Sequence, residues 1–193
     1  MIPWINLAVL LAAIALMLYM YILSVSPAAL EKRIGPIAYK RCGRYRFVAM
    51  ALMFVALGNY IVYYFYPLPL PLSRTFPWPW WVSGLIAALL AIPSGYLVIR
   101  GMRDAGAEAI APRPEQKLFG GIYNHIRHPQ AWEMVWWFVI AFALNSPFLA
   151  LFSLLLLPVE YAMMWAEERD LILRYGQEYE DYRQRTGALW PRR

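Results

Sequence analysis

The side chains best suited to chemistry fall in two clusters in the C-terminal part of the chain. The first is Gly120-Gly121-Ile122-Tyr123-Asn124-His125-Ile126-Arg127-His128-Pro129. Glycines let a ligand approach the backbone closely. Arg127 offers a planar fork of donors that suits a carboxylate, and His128 donates beside it. Pro129 then opens a helix, whose free N–H groups and positive dipole end welcome an anion. Anchoring of lipid headgroups by Arg127 and His128 fits the same residues.

The second cluster is Glu160, Met163, Glu167 and Glu168. Positions 160, 163 and 167 share one helical face. Glu160 lies well inside an apolar run, and Glu133 stands near the start of another. An acidic residue at membrane depth costs roughly 2.5–3.5 kcal/mol, so each should face protein or water. A neutral, hydrogen-bonded Glu160 between helices is the structural alternative to a functional one. Glu167 falls at the interface, where ionisation is cheap, and suits an ammonium or sulfonium group. A third feature follows at about residues 165–185, an expected helix. It carries Leu171, Tyr175, Tyr179 and Tyr182 on one face and is weakened in the middle by Gly176.

These clusters need a membrane scaffold. The chain is 61% hydrophobic and 16% charged, against roughly 45–50% and 25% for average soluble proteins. Nine Trp and fourteen Tyr suit interfacial anchoring. A bilayer core needs about 20 apolar residues per helix. Five spans are expected, at residues 3–23, 47–65, 79–99, 130–144 and 147–165. Asn145-Ser146-Pro147 allows only a tight reversal, so the last two spans form a helical hairpin. No cleavable signal peptide is expected, because the first apolar run begins at once and is long enough to span.

The net charge of +6 does not point to nucleic acid, because Lys and Arg lie almost wholly between or after the apolar runs. Lys32, Arg33, Lys40, Arg41, Arg44 and Arg46 follow the first span. Arg100, Arg103, Arg113, Lys117 and Arg127 follow the third, and six arginines follow the fifth. The other connections carry only Arg74. This alternation predicts an outside N-terminus and a cytoplasmic C-terminus. Both clusters then reach the cytoplasmic face, where a soluble cofactor is available. The Pro-rich residues 66–78 cannot form a regular helix and are expected along the outer interface. The lone Cys42 excludes an internal disulfide.

The combined motifs resemble the C-terminal signature of the isoprenylcysteine carboxyl methyltransferases, and more loosely that of phospholipid methyltransferases. The matching residues are Gly121, Tyr123, Arg127, His128 and Pro129, then Glu167, Glu168 and Leu171. Tyr175, Gly176, Tyr179, Tyr182 and Pro191 complete the pattern. The likeness covers roughly residues 115–191 and is similar to a small prokaryotic member. It implies an all-α integral membrane enzyme with three N-terminal spans (1–99) and a catalytic region (100–193). That region comprises a cytoplasmic cofactor-binding loop, the helical hairpin and an amphipathic tail.

The implied activity is S-adenosylmethionine-dependent methylation of a lipidic or prenylated substrate that enters from the bilayer, with carboxyl methylation favoured. The implied cofactor residues are Glu108, Gln116, Lys117, Leu118, Tyr123, His128, Pro129, Gln130, Ala131 and Glu167. Glu167 and Arg127 would act at the reaction centre. Met163, Glu160 and Glu133 fall on the substrate side, and no metal is implied. Two departures touch substrate recognition. The family often has Tyr and Gly at the positions of Ala131 and Glu133, and it has Arg at the position of Met163.

Other classes fit less well. Only His125 and His128 exist, too few for a histidine-box di-iron enzyme. No His-Glu-x-x-His motif is present for a zinc protease. A glutamate-type intramembrane protease would need Arg at Ile172. An amine N-methyltransferase and an NADPH-dependent membrane reductase stay open as alternatives.

Overall fold

The computed structural model describes residues 1–106, 112–113 and 120–192. Among these the chain is helical, and the one β-type pairing is a single parallel bridge between Ile126 and Gly187. The helices are α1 (Ile2–Ser24), α2 (Pro27–Ile34), α3 (Ile37–Phe65), α4 (Trp80–Ala105), α5 (Val135–Ala143), α6 (Pro147–Tyr175) and α7 (Gln177–Arg185). Four of them, α1, α3, α4 and α6, are long and apolar enough to cross a membrane. Their outer faces leave large apolar side chains such as Phe54, Leu89 and Leu155 exposed, as lipid contact requires.

The expected fourth span differs from a single long helix. Residues Gln130–Met134 form a 3-10 turn, and only the nine residues of α5 are α-helical. The segment nevertheless runs beside α4 for most of that helix's length. At one end Pro129 packs so tightly on Gly101 that a Cβ there would lie 2.8 Å from Pro129 Cγ. At the other, Ser83 Oγ donates to Asn145 Oδ1 at 2.5 Å. Between Ser83 and Gly101, α4 rises about 27 Å. A 3-10 stretch climbs about 2.0 Å per residue instead of 1.5 Å, so the short segment covers that distance by stretching.

The reversal at Asn145 is tight, with φ at 52°. Ser146 caps α6 by accepting from Leu149 N. Beyond it, the expected fifth span and the first half of the expected tail helix are one continuous helix. Gly176, at φ 55° and ψ −127°, ends α6 in a positive-φ conformation that glycine adopts far more readily than other L-residues. The tail helix expected over residues 165–185 is therefore divided, and α7 turns back towards the loop at His128.

The core lies between α1, α3, α5 and α6, around Leu10, Tyr60, Ala141, Leu149 and Phe152. An unpaired hydroxyl there would be costly. Tyr60 Oη is paired three ways, 2.7 Å from Ser153 Oγ and donating towards Leu149 O (2.8 Å) or Trp137 O (3.0 Å). Buried Asp170 ties the two halves together. Its carboxylate accepts from Ala28 N and Ala29 N at 3.2 and 3.1 Å, capping α2 from 141 residues away. Helix α3 packs on α1 and α2, whereas α4 packs on α5 and the two 3-10 turns; α3 and α4 share no extensive contact among the described residues.

Candidate functional site

The loop before α5 is held from both sides. Asp104 at the end of α4 accepts from Ile122 N at 2.8 Å. Gly121, at φ 65°, lies so close that a Cβ would fall 2.2 Å from the Asp104 carboxylate. The close approach that Gly121 permits is thus to Asp104. On the other side the C-terminal tail lies along the loop. Arg127 N donates to Gly187 O at 2.9 Å and His128 N to Ala188 O at 3.0 Å. Trp132 Nε1 donates to Leu189 O at 3.2 Å, and Tyr182 Oη to Tyr123 O at 2.7 Å.

The α5–α6 hairpin brings His128 to the two glutamates that lie forty residues further on. His128 Nε2 is 2.9 Å from Glu168 Oε1, and Nδ1 is 3.6 Å from Glu167 Oε2. Each ring nitrogen faces a carboxylate oxygen, an arrangement that favours a proton on both. Burial alone would favour the neutral ring, but the hydrogen bonds and charges of Glu167 and Glu168 outweigh it and push the His128 pKa up to about 9. His128 is therefore an imidazolium at neutral pH.

The two glutamates differ. Glu168 is consumed by its neighbours: Arg127 Nε donates to Oε1 at 2.8 Å, and Arg183 stands at 4.0 Å. Glu167 makes only the longer His128 contact among the described residues, and its side chain is 37% exposed. It keeps acceptor capacity for a ligand. Arg127 is committed to support, since its Nη1 also donates to Arg183 O and Thr186 O.

These residues open onto one cavity of about 370 Å³. It is lined by the polar groups of Tyr123, His128, Glu167, Tyr175, Tyr179 and Tyr182 and also by Met17 of α1, Met50 and Met53 of α3, Met102 of α4, and Met163 and Met164 of α6. Six of the chain's nine methionines thus form one surface, and thioether chains adapt to irregular ligands. Helices α3 and α4 both line the cavity and share no extensive contact among the described residues. The Tyr179 hydroxyl is buried with no hydrogen-bond partner among the described residues, and the residue is 1% exposed. A buried hydroxyl in that state marks a place where a ligand atom would complete the bonding.

Of the residues singled out from sequence, Tyr123, Arg127, His128, Pro129, Gln130, Ala131, Glu133, Glu160, Met163 and Glu167 all line this cavity. Gln130 Nε2 donates to Tyr123 Oη at 3.1 Å. Glu108, Gln116, Lys117 and Leu118 lie outside the described residues. Sequence reasoning missed Tyr21 and Arg46, which enter the cavity from the N-terminal helices with the Arg46 guanidinium 6.0 Å from the Tyr21 ring centre. The available signal was Arg46 itself, the last of a basic run and directly before an apolar stretch. The role of residues 186–189 was also missed, because backbone pairing to a distant loop leaves no periodic trace. No family model, curated protein or solved structure matches the chain.

Proposed function

We propose that the protein is an integral membrane S-adenosylmethionine-dependent methyltransferase acting on a lipidic substrate, acylated or prenylated, drawn from the bilayer. The observation that carries this reading is one cavity lined both by the charged His128–Glu167 pair and by six methionines. Two separated requirements, a soluble charged cofactor and an apolar acceptor, call for such a cavity. The residues suit the cofactor: Glu167 has acceptor capacity for an ammonium or sulfonium, and the Tyr179 hydroxyl lacks a partner among the described residues.

The sulfonium of the bound cofactor supplies a methyl group that is already activated. The chain's own work is to orient, to exclude water and to place charge. Asp104, Arg127 and the C-terminal tail fix the loop that carries His128. The imidazolium in turn orients Glu167. The motif resemblance favours a carboxylate acceptor. We also propose five crossings, with the short Gln130–Ala143 segment as the fourth, an outside N-terminus and a cytoplasmic C-terminus in a prokaryotic cell membrane.

Calorimetry on the purified chain in detergent tests the cofactor. S-adenosylhomocysteine should bind and NADPH should not. NADPH binding alone would replace this reading with the membrane reductase. Radiolabelled S-adenosylmethionine added to native membranes should label a lipid-extractable product.

A further inference from the structure

One row of cations takes no part in the site described above. Lys40, Arg41 and Arg44 stand in the first turns of α3, and all three are exposed. Among the described residues their side chains make no ion pair, hydrogen bond or ring contact. Lys32 and Arg33, in the last turn of α2, are exposed cations in the same state. The only acidic residue ahead of Asp104 is Glu31, and Tyr39 Oη already donates to it at 3.1 Å.

Other arginines of the chain are engaged. Arg100 pairs with Asp104 at 3.2 Å, and Arg183 reaches Glu168 and Glu180 at 4.0 and 3.8 Å. Arg169 lies over the Trp165 ring at 4.7 Å. These cations answer groups of the chain itself, whereas the row on α3 answers none.

Helix geometry puts that row in line with an apolar face. Positions 40, 41 and 44 share a side of the helix with 47, 48 and 55. Phe47, Val48 and Val55 are 69%, 40% and 46% exposed, while Cys42, Ala49 and Ala56 hold the opposite, buried side. Residues 47–65 carry no charged side chain. They rise about 28 Å, close to the roughly 30 Å of a hydrocarbon core. Arg44, Arg41 and Lys40 then lie between about 4 and 11 Å beyond Phe47 along the axis. The headgroup layer extends roughly 5–8 Å beyond the hydrocarbon, within reach of such long side chains.

We propose that this face of α3 is a docking site for an anionic phospholipid. Its phosphate sits on Lys40, Arg41 and Arg44, and its acyl chains lie along Phe47, Val48 and Val55. The unanswered charge selects an anionic head over one whose net charge is zero. The apolar continuation on the same face selects a lipid over a soluble anion, which gains nothing from Phe47 or Val48. Lys32 and Arg33 add to the attraction from α2. Each basic residue near an anionic surface is worth about fivefold in affinity. The site does not rest on the methyltransferase reading; it requires only that α3 crosses a bilayer.

The test is native mass spectrometry of the purified full chain in a nonionic detergent. The probes are dioleoylphosphatidylglycerol, dioleoylphosphatidylcholine and inorganic phosphate. The two lipids share their chains and differ in net charge. Phosphatidylglycerol should bind at least tenfold more tightly than phosphatidylcholine, and inorganic phosphate should not displace it. Lys40→Gln with Arg41→Gln and Arg44→Gln should bring the two lipids to within about twofold at an unchanged melting temperature, because the three side chains hold nothing else. Lys40→Arg with Arg41→Lys and Arg44→Lys should keep the preference, and so should Arg74→Gln, which removes an exposed cation elsewhere. Equal binding of the two lipids by the unaltered chain overturns the proposal. So does a preference that survives the triple glutamine variant, which would put the lipid on another surface. Displacement by inorganic phosphate would make the row a site for soluble anions and overturn it equally.

Discussion

His128 and the two glutamates beside it divide the work of the site, and each can be probed singly. Glu168 neutralises Arg127 and His128, whose side chains are only 11% and 6% exposed. Removing its charge strands both cations, a loss of about 3–5 kcal/mol for a buried pair. Glu168→Gln should therefore lower the melting temperature clearly. Glu167→Gln should leave it nearly unchanged and weaken S-adenosylhomocysteine binding at least tenfold by calorimetry. A pH series adds a second check. The folded-state pKa of His128 is raised, to about 9, from an ordinary value near 6.5. Its contribution to stability is full below about 6.5 and is lost as pH rises through 9. Melting temperature should fall over that window, and His128→Asn should flatten the dependence. Met163→Arg would place a cation one turn from Glu160. It should leave S-adenosylhomocysteine binding nearly intact by calorimetry, because Met163 falls on the substrate side of the proposed site. At this scale much was legible in the sequence. The tight turn at residues 145–147 made the lengths of the two flanking segments enough to bring His128 to Glu167. Which glutamate His128 holds more closely was not legible, because Arg127 competes for the same carboxylate and that competition is settled by side-chain geometry.

The elements were read most accurately where one long apolar run suffices, as in α1 and α4, whereas α3 begins at Ile37, ahead of the span expected at residues 47–65. They were misjudged where a local pattern yields to a contact made elsewhere. Residues 130–144 are apolar enough to suggest one helix, but Pro129 packed on Gly101 and Asn145 bonded to Ser83 set the distance to be covered, and the 3-10 turn meets it. Gly176 was visible as a weak point, yet whether a glycine bends or ends a helix depends on what the following segment meets. Here Tyr182 and the tail find the loop of Tyr123 and His128. Gly187 is the tightest point of that arrangement, since a Cβ would lie 1.7 Å from Trp190 O. Gly187→Ala should open the turn and loosen the bonds from Arg127 N and His128 N. Hydrogen exchange at those two amides should speed up, and affinity for S-adenosylhomocysteine should drop about tenfold.

For the molecule as a whole, the placement of the basic residues predicts that both clusters face the cytoplasm. Cys42 is fully buried, with its thiol 3.3 Å from Leu23 O, so Cys42→Ala supplies a background for labelling. A cysteine placed in the tail should react with an impermeant reagent only after the membrane is opened. Labelling from outside in intact cells would reverse the topology. The charge alternation carries this expected orientation, while the link from Asp170 to α2 was not legible in the sequence, because nothing near residue 28 announces a partner 142 positions away. That link fastens α2 to α6, whereas α3 and α4 share no extensive contact among the described residues, and in the proposed reading the lipid substrate enters between them. A lipid that slips in there keeps the rest of its chain in the bilayer. Only the methylenes that enter the cavity change surroundings, and those beyond it exchange one hydrocarbon neighbour for another. Lengthening the chain should therefore raise affinity only until the cavity is filled. The concentration that governs turnover is then the fraction of substrate within the membrane plane. Adding inert lipid at constant total substrate should slow the reaction, and adding water should not.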